Sequence, residues 1–143
     1  MCKKLTFIIL PLFFIVFTTG FNLAYSGYYD DEKSAKTLKT FTGILIDTKC
    51  YGMNEDNFTN DHMSMKSCGK MCAKMGIPVG LLVDGKKGGK VYVLTIPAPA
   101  LADYMGEWVR VSGERVFKGG LIPEKIEIKK GDVYEQIDVE TMM

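Results

Sequence analysis

The sequence predicts a mainly β fold, a small OB-like Greek-key barrel, which is a partly open barrel of five strands. Segments of alternating apolar and polar residues, rich in β-branched side chains, predict strands at 41–47, 79–83, 91–96, 107–117 and 122–128, with a shorter one at 133–139. Turn signals rich in glycine or proline separate these segments. Helical signals occur only after strand 1 and between strands 3 and 4, which is the element order of such a barrel rather than of a parallel α/β sheet.

The first strand is followed by an insertion at residues 48–76, which we call the Cys/His insertion. Its polar residues at 54–61 predict a loop. A short helix is predicted after this loop, because cysteine and methionine recur at i, i+3, i+4 and i+7: Cys68, Met71, Cys72 and Met75. Ser64 or Ser67 is the expected cap at the start of this helix, and Gly76 is the expected stop. The simplest use of Met71 and Met75 is to pack the helix against the barrel.

The remaining elements follow in order from Pro78. The strands at 79–83 and 91–96 form a hairpin around a loop rich in glycine and charge. Residues 97–106 begin with proline and end with glycine, which predicts a short helix. In the next strand Gly113 predicts a bend or bulge. Turns at 118–120 and 131–132 separate the last strands.

The N-terminus has the plan of a secretory signal peptide. Lys3 and Lys4 precede 13 mostly apolar residues, and a small-residue site lies at residues 24–26. The apolar core is shorter than the ~20 residues needed to cross a bilayer as a helix. We therefore predict cleavage after Ser26 and a periplasmic or secreted protein, with retention as a membrane anchor as the alternative.

Without residues 1–26 the chain keeps 16 basic and 17 acidic side chains. This balance gives no broad field for nucleic acid, and membrane contact is expected only if the N-terminal segment is retained. Residues 27–40 predict a flexible lead-in, and residues 41–139 a single domain. A protein or small-molecule partner is not identified by the sequence.

Three of the four cysteines and the one histidine fall within 23 residues, as Cys50, His62, Cys68 and Cys72. Three thiolates and an imidazole form a common ligand set for structural zinc, and thiolates together with thioethers select Cu(I). Cys68 and Cys72 lie one helical turn apart, so their sulfurs share a face. His62 can join them only from a loop before the helix. Asp47 is either a turn residue or a group that orients His62.

These residues resemble a pattern in small exported bacterial proteins of uncharacterised function. The pattern is a strand ending in Asp47 and Cys50, then His62, then the pair Cys68 and Cys72, and then glycine and proline before a β-rich remainder. The resemblance implies export, an OB-like barrel and the importance of the cysteines and histidine. It implies no reaction.

Two other uses of the cysteines stay open at this point. A disulfide from Cys50 to Cys68 or Cys72 would staple the Cys/His insertion to the barrel and stabilise the fold by roughly 2–4 kcal/mol. Thiol redox chemistry at Cys68 and Cys72 is the third possibility, although catalytic pairs usually have two residues between them.

The leading hypothesis is therefore an exported Zn or Cu protein with a structural or metal-handling role and no catalysis of its own. The alternative is a disulfide-stapled OB-type interaction module that binds a sugar, a peptide or a partner protein. Four aromatic residues could line the binding face of such a module, or could instead serve as core and cross-strand pairs: Tyr92, Trp108, Phe117 and Tyr134.

Overall fold

The computed structural model describes residues 38–138. The predicted signal peptide and nearly all of the predicted lead-in lie outside these residues. Six strands and two short α-helices are present, together with one 3-10 helix (Ala98–Tyr104). In chain order the strands and helices are β1 (Lys39–Asp47), α1 (Thr48–Met53), α2 (Cys68–Lys74), β2 (Val79–Val83), β3 (Val91–Leu94), β4 (Trp108–Val116), β5 (Gly120–Lys130) and β6 (Val133–Ile137).

The six strands form one sheet in the order β3-β2-β1-β4-β5-β6, and these neighbours are antiparallel. A further parallel pairing joins β3 to β5 through Val93 with Gly120 and Leu94 with Leu121. The predicted mainly β fold with few short helices is therefore confirmed. Closure into an OB-like barrel stays a prediction.

The core comes from the alternation that predicted the strands. Inward side chains of neighbouring strands, among them Leu45, Leu81, Val109 and Leu121, are completely buried and pack in one cluster. The 3-10 helix adds Leu101 to the same cluster. Burying such side chains contributes about 1.5–3 kcal/mol each, so this cluster is the main source of stability.

The predicted bend at Gly113 is confirmed, since the register of β4 against β5 shifts between Ser112 and Gly113. Glycine is required at this position because an added Cβ would lie 2.1 Å from the carbonyl oxygen of Ile122. The shift turns β4 sharply against its neighbour, as a bulge does.

Two details of the element predictions were wrong. The helix α1, directly after Asp47, was not predicted, and β1 begins at Lys39, inside the predicted lead-in. The helix predicted at 97–106 is present as a 3-10 helix. Among the described residues, no helix has the length and apolar character to cross a membrane.

The four aromatic residues considered for a binding face differ in their burial and in their contacts. Tyr92 is buried in the main core, where Phe41 packs on it with ring centroids 4.9 Å apart. Tyr134 stacks under the guanidinium of Arg110, whose Cζ lies 3.7 Å from the ring centroid. Trp108 and Phe117 are exposed. The core and cross-strand uses thus account for two of the four.

Candidate metal centre

The end of β1 positions the first cysteine. Asp47 is the last residue of β1 and also the N-cap of α1, and its Oδ1 accepts hydrogen bonds from the backbone N–H groups of Lys49 (2.9 Å) and Cys50 (3.3 Å). A side chain of this type satisfies amides that the first helical turn leaves free. Asn57 then holds the far side of α1, because its Nδ2 donates to the Cys50 carbonyl (3.0 Å). Cys50 is thereby fixed in the first turn of a short helix.

The helix α2 is held at its start by the loop before it. The residue ahead of it, Ser67, has a left-handed backbone (φ 57°) and its side chain makes no capping hydrogen bond, so the predicted serine cap is wrong. Asn60 binds the free amides instead, accepting from Gly69 N at its carbonyl oxygen (2.8 Å) and from Lys70 N at Oδ1 (2.8 Å). Asp61 Oδ1 accepts from Ser67 N. These bonds tie the loop to the helix.

His62 follows that loop directly. It lies in a tight turn in which His62 N donates to Met65 O (3.2 Å) and Met65 N donates to His62 O (3.0 Å). Gly106 makes room for the loop, because a Cβ at this residue, where φ is +81°, would lie 2.6 Å from Asn60 N. The condition that His62 must lie in a loop before the helix is therefore met.

The cysteines and the histidine converge. Two sets of three ligand atoms lie within 4.8 Å of one another, and both include the sulfur of Cys50. One set adds His62 and Cys68, and the other adds Asp47 and Cys72. Cys50, His62, Cys68 and Cys72 thus lie close enough together to hold a metal ion. Asp47 also lies among these ligand atoms, although the sequence analysis did not place it among the ligands.

The burial of the polar groups at this site is unusual. His62 is 2% exposed and Asp47 is 1% exposed. Three of their atoms are buried without a hydrogen-bond partner: Asp47 Oδ2, His62 Nδ1 and His62 Nε2. They are the only such side-chain atoms among residues 38–138. A buried group left unpaired costs about 1–3 kcal/mol, so the arrangement calls for a ligand that these atoms could bind.

The thiols are held in the protonated form in the absence of a metal. Burial, followed by the neighbouring carboxylate of Asp47 and the sulfur of Cys68, raises the pKa of Cys50 to about 11. For Cys72 the Asp47 carboxylate is the largest cause, and with burial it raises the pKa to about 12. A divalent or monovalent cation among these groups would reverse the effect, because it favours the thiolate.

Asp47 itself remains ionised. Burial, the largest influence on its pKa, raises it, but the thiols of Cys72 and Cys50 together with the two backbone amides more than compensate and hold the pKa below 3.8. The site therefore carries a fixed negative charge beside the thiols of Cys50 and Cys72, and this charge attracts a cation.

Cys50, Cys68 and Cys72 are all free thiols in the described part of the chain. The disulfide staple proposed as the alternative use of these cysteines is not present. Cys68 and Cys72 lie on adjacent turns of α2, where a disulfide is geometrically unfavourable.

The prediction for the methionines of α2 was wrong. Cys68 and Cys72 face inward, whereas Met71 and Met75 are exposed and do not pack against the sheet. Residues three apart on a helix differ by about 60° around its axis, so methionines at the edge of a buried cysteine face can project into solvent.

Comparison of the chain with protein-family models, with curated proteins and with solved structures gave no match.

Proposed function

We propose that this chain is an exported metal-binding protein with an OB-like barrel, in which Cys50, His62, Cys68 and Cys72 hold one Zn²⁺ or Cu(I) ion. Its role is structural or in metal handling, without catalysis of its own. The observation that carries the proposal is His62, a completely buried imidazole with both ring nitrogens unpaired and with the sulfurs of Cys50 and Cys68 within 4.8 Å. Neutral imidazole and thiolate are ligands that both ions accept.

A bound ion would connect three pieces of chain, of which α1 and α2 contribute to different core clusters, through Tyr51 and Ala73. Cys50 comes from α1, His62 from the turn, and Cys68 and Cys72 from α2. Hydrogen bonds already bring the turn and α2 together, so little of the insertion has to be ordered on binding. Pre-ordered ligands raise affinity because less conformational entropy is lost.

Asp47 supports the same ion from its place at the end of β1. Its Oδ1 is used by the backbone of α1, and Oδ2 is free to face the cysteines. A carboxylate at this position can bind the ion directly or stabilise it through its negative charge. It also joins the proposed metal site to the sheet.

The OB-like barrel is supported by the strand pairings. β3 bonds to both β2 and β5, and β4 bonds to both β1 and β5, so hydrogen bonds link five strands in a cycle. That cycle, with the 3-10 helix between β3 and β4, is the arrangement expected of an OB-type barrel.

Export is supported by the signal-peptide pattern of residues 1–26 and by the resemblance to small exported bacterial proteins. Close thiols in an oxidising compartment form disulfides unless something holds them. A bound ion would keep Cys50, Cys68 and Cys72 reduced, which fits their free thiols.

The test is metal content with a ligand variant. Protein expressed in the periplasm and purified under reducing conditions is expected to contain one zinc or copper ion per chain by elemental analysis. Cys68→Ser should weaken binding by about 3–4 kcal/mol, roughly a quarter of the binding free energy of a four-ligand zinc site. Chelator competition measures this loss.

Ser64→Ala is the matched control, because Ser64 is exposed in the same loop and is not among the proposed ligands. Its metal affinity should equal that of the wild type. The proposal fails if the wild type binds neither metal stoichiometrically, or if thiol titration of the denatured protein finds one free thiol rather than three in the mature chain.

A further inference from the structure

Each of the four proposed ligands is followed three residues later by a methionine. The pairs are Cys50 with Met53, His62 with Met65, Cys68 with Met71, and Cys72 with Met75. No other feature of the fold requires this spacing, and the proposed zinc or copper site does not use these methionines.

The local structure makes the members of each pair neighbours. In a helix, residues three apart lie ≈ 5–6 Å from each other between Cβ atoms. Cys50 and Met53 both lie in α1, and the bond from Met75 N to Met71 O (3.0 Å) continues the helical spacing through the end of α2. His62 and Met65 are paired directly by two backbone hydrogen bonds.

Burial separates the two members of every pair. Cys68, Cys72 and His62 are buried and Cys50 is half-buried, whereas the four methionines are 57–71% exposed. The only methionine of the described residues outside the Cys/His insertion, Met105, is 3% exposed and lies in the core. Methionine is therefore used in two ways in this chain, and only the insertion presents it to solvent.

Exposure to water does not stabilise a methionine side chain. Its thioether does offer one soft, uncharged sulfur as a metal ligand. Such a sulfur is a good ligand for Cu(I) and a poor one for Zn²⁺. Unlike a thiol, it needs no deprotonation to bind and forms no disulfide. We infer that Met53, Met65, Met71 and Met75 form an outer rim that captures Cu(I) and passes it to the buried thiols, which makes Cu(I) the ion that this protein handles.

This inference rests on the proposed function, because it needs the inner site to receive the ion. In each transfer a bond from copper to a thioether sulfur breaks and a bond from copper to a thiolate sulfur forms. The thiol proton leaves to water, and copper stays Cu(I) throughout. The transfer runs inward because thiolates are stronger ligands for Cu(I) than neutral thioethers.

The test replaces all four rim methionines with leucine, which is similar in volume and apolar but has no sulfur. The full mature chain is mixed without oxygen with the Cu(I)–bicinchoninate complex, and the loss of its colour gives the loading rate. The four-residue variant should load on the order of tenfold more slowly, a loss typical of outer ligands at metal sites. Its affinity for Zn²⁺ should stay within about twofold of the wild type.

Met63→Leu is the matched control. Met63 is the most exposed methionine of the insertion and lies next to His62, but it is not three residues after any ligand. It should load Cu(I) at the wild-type rate. Circular dichroism checks that each variant is folded.

The outcomes separate the two proposals. If the four-leucine variant loads Cu(I) as fast as the wild type, the rim has no role in capture and the inference is overturned. If the wild type binds Zn²⁺ stoichiometrically but not Cu(I), the inference also fails while the proposed function stands. If the wild type binds neither ion, both fail.

Discussion

The sheet and the Cys/His insertion differ in the kinds of side chain that they bury and expose. In the sheet, most buried residues are aliphatic or aromatic, with Asp47 at the end of β1 as the one charged exception, and the exposed ones are mostly polar. In and beside the insertion, the buried residues include Asp47, Asn57 and His62, which are all the buried polar residues of the described chain, and the exposed ones include five methionines. Folding stability explains the first arrangement. It does not explain the second, which suits the binding of a soft metal ion.

The buried polar side chains also differ in whether they have a hydrogen-bond partner. Asn57 is buried but donates to the Cys50 carbonyl, so its burial costs little. His62 is buried with two unpaired nitrogens, which opposes folding in the metal-free protein. Each prediction below changes the metal site and compares the response of the insertion with that of the sheet.

The largest expected effect is the dependence of metal affinity on pH. At neutral pH the pKa values of Cys50 (about 11) and Cys72 (about 12) keep both thiols protonated without metal, so binding must release at least two protons. Apparent affinity should therefore fall about a hundredfold for each pH unit of acidification. Zn²⁺ competition titrations at pH 8, 7 and 6 measure the slope. Release of fewer than two protons per ion would contradict ligation by both thiolates.

The metal-free protein should respond to pH in the opposite direction. A thiol whose pKa rises on folding, from 9.0 to about 11 for Cys50 and to about 12 for Cys72, stabilises the fold below pH 9. That stabilisation is lost as pH rises through the folded pKa values. Denaturant unfolding with a chelator present should thus show falling stability between pH 9 and 12, whereas metal binding weakens toward acid.

The third prediction concerns metal removal. A free metal concentration a thousandfold above Kd stabilises the native state by about 4 kcal/mol, and chelation removes this. Because the ligands come from α1, the turn and α2, amide exchange should accelerate most at residues 48–76 on chelation. The exchange rates of amides in β1 and β4, in the centre of the sheet, should change least, as long as exchange does not occur through global unfolding. Equal acceleration in both regions would contradict a local role of the ion in the insertion.

The sequence predicted the sheet better than the insertion, for a physical reason. Strands can be recognised because apolar and polar residues alternate along them with a period of two. The bounds of β2 match the predicted bounds residue for residue. The helix α1 has six residues, too few to show a helical period. Asp47 followed by Thr48 was a usable signal, because Asp is a favoured N-cap.

The sequence predicted which cysteines and histidine converge, but it did not predict what surrounds them. The chemistry of cysteine and histidine is visible in the sequence, and Cys50, His62, Cys68 and Cys72 do converge. Asp47 was considered as a turn residue or as a group that orients His62, but it was not placed among the ligands, because spacing does not reveal its burial. The exposure of Met71 was missed because it lies at the border of the apolar face of the helix. Whether a residue at this border is buried depends on packing, which the sequence pattern does not show.

The smallest predicted effect gives the clearest comparison. One substitution should stabilise the metal-free protein and weaken the binding of metal. His62→Leu removes two unpaired buried nitrogens, so the metal-free protein should become more stable by about 1–3 kcal/mol in denaturant unfolding. The same variant loses a ligand and should bind Zn²⁺ more weakly by about 3–4 kcal/mol. In the sheet, Tyr92→Leu should destabilise the protein with or without metal, because it leaves a cavity beside Phe41. If His62→Leu destabilised the metal-free protein as Tyr92→Leu does, His62 would be an ordinary core residue, and the contrast between the two regions would not reflect metal binding.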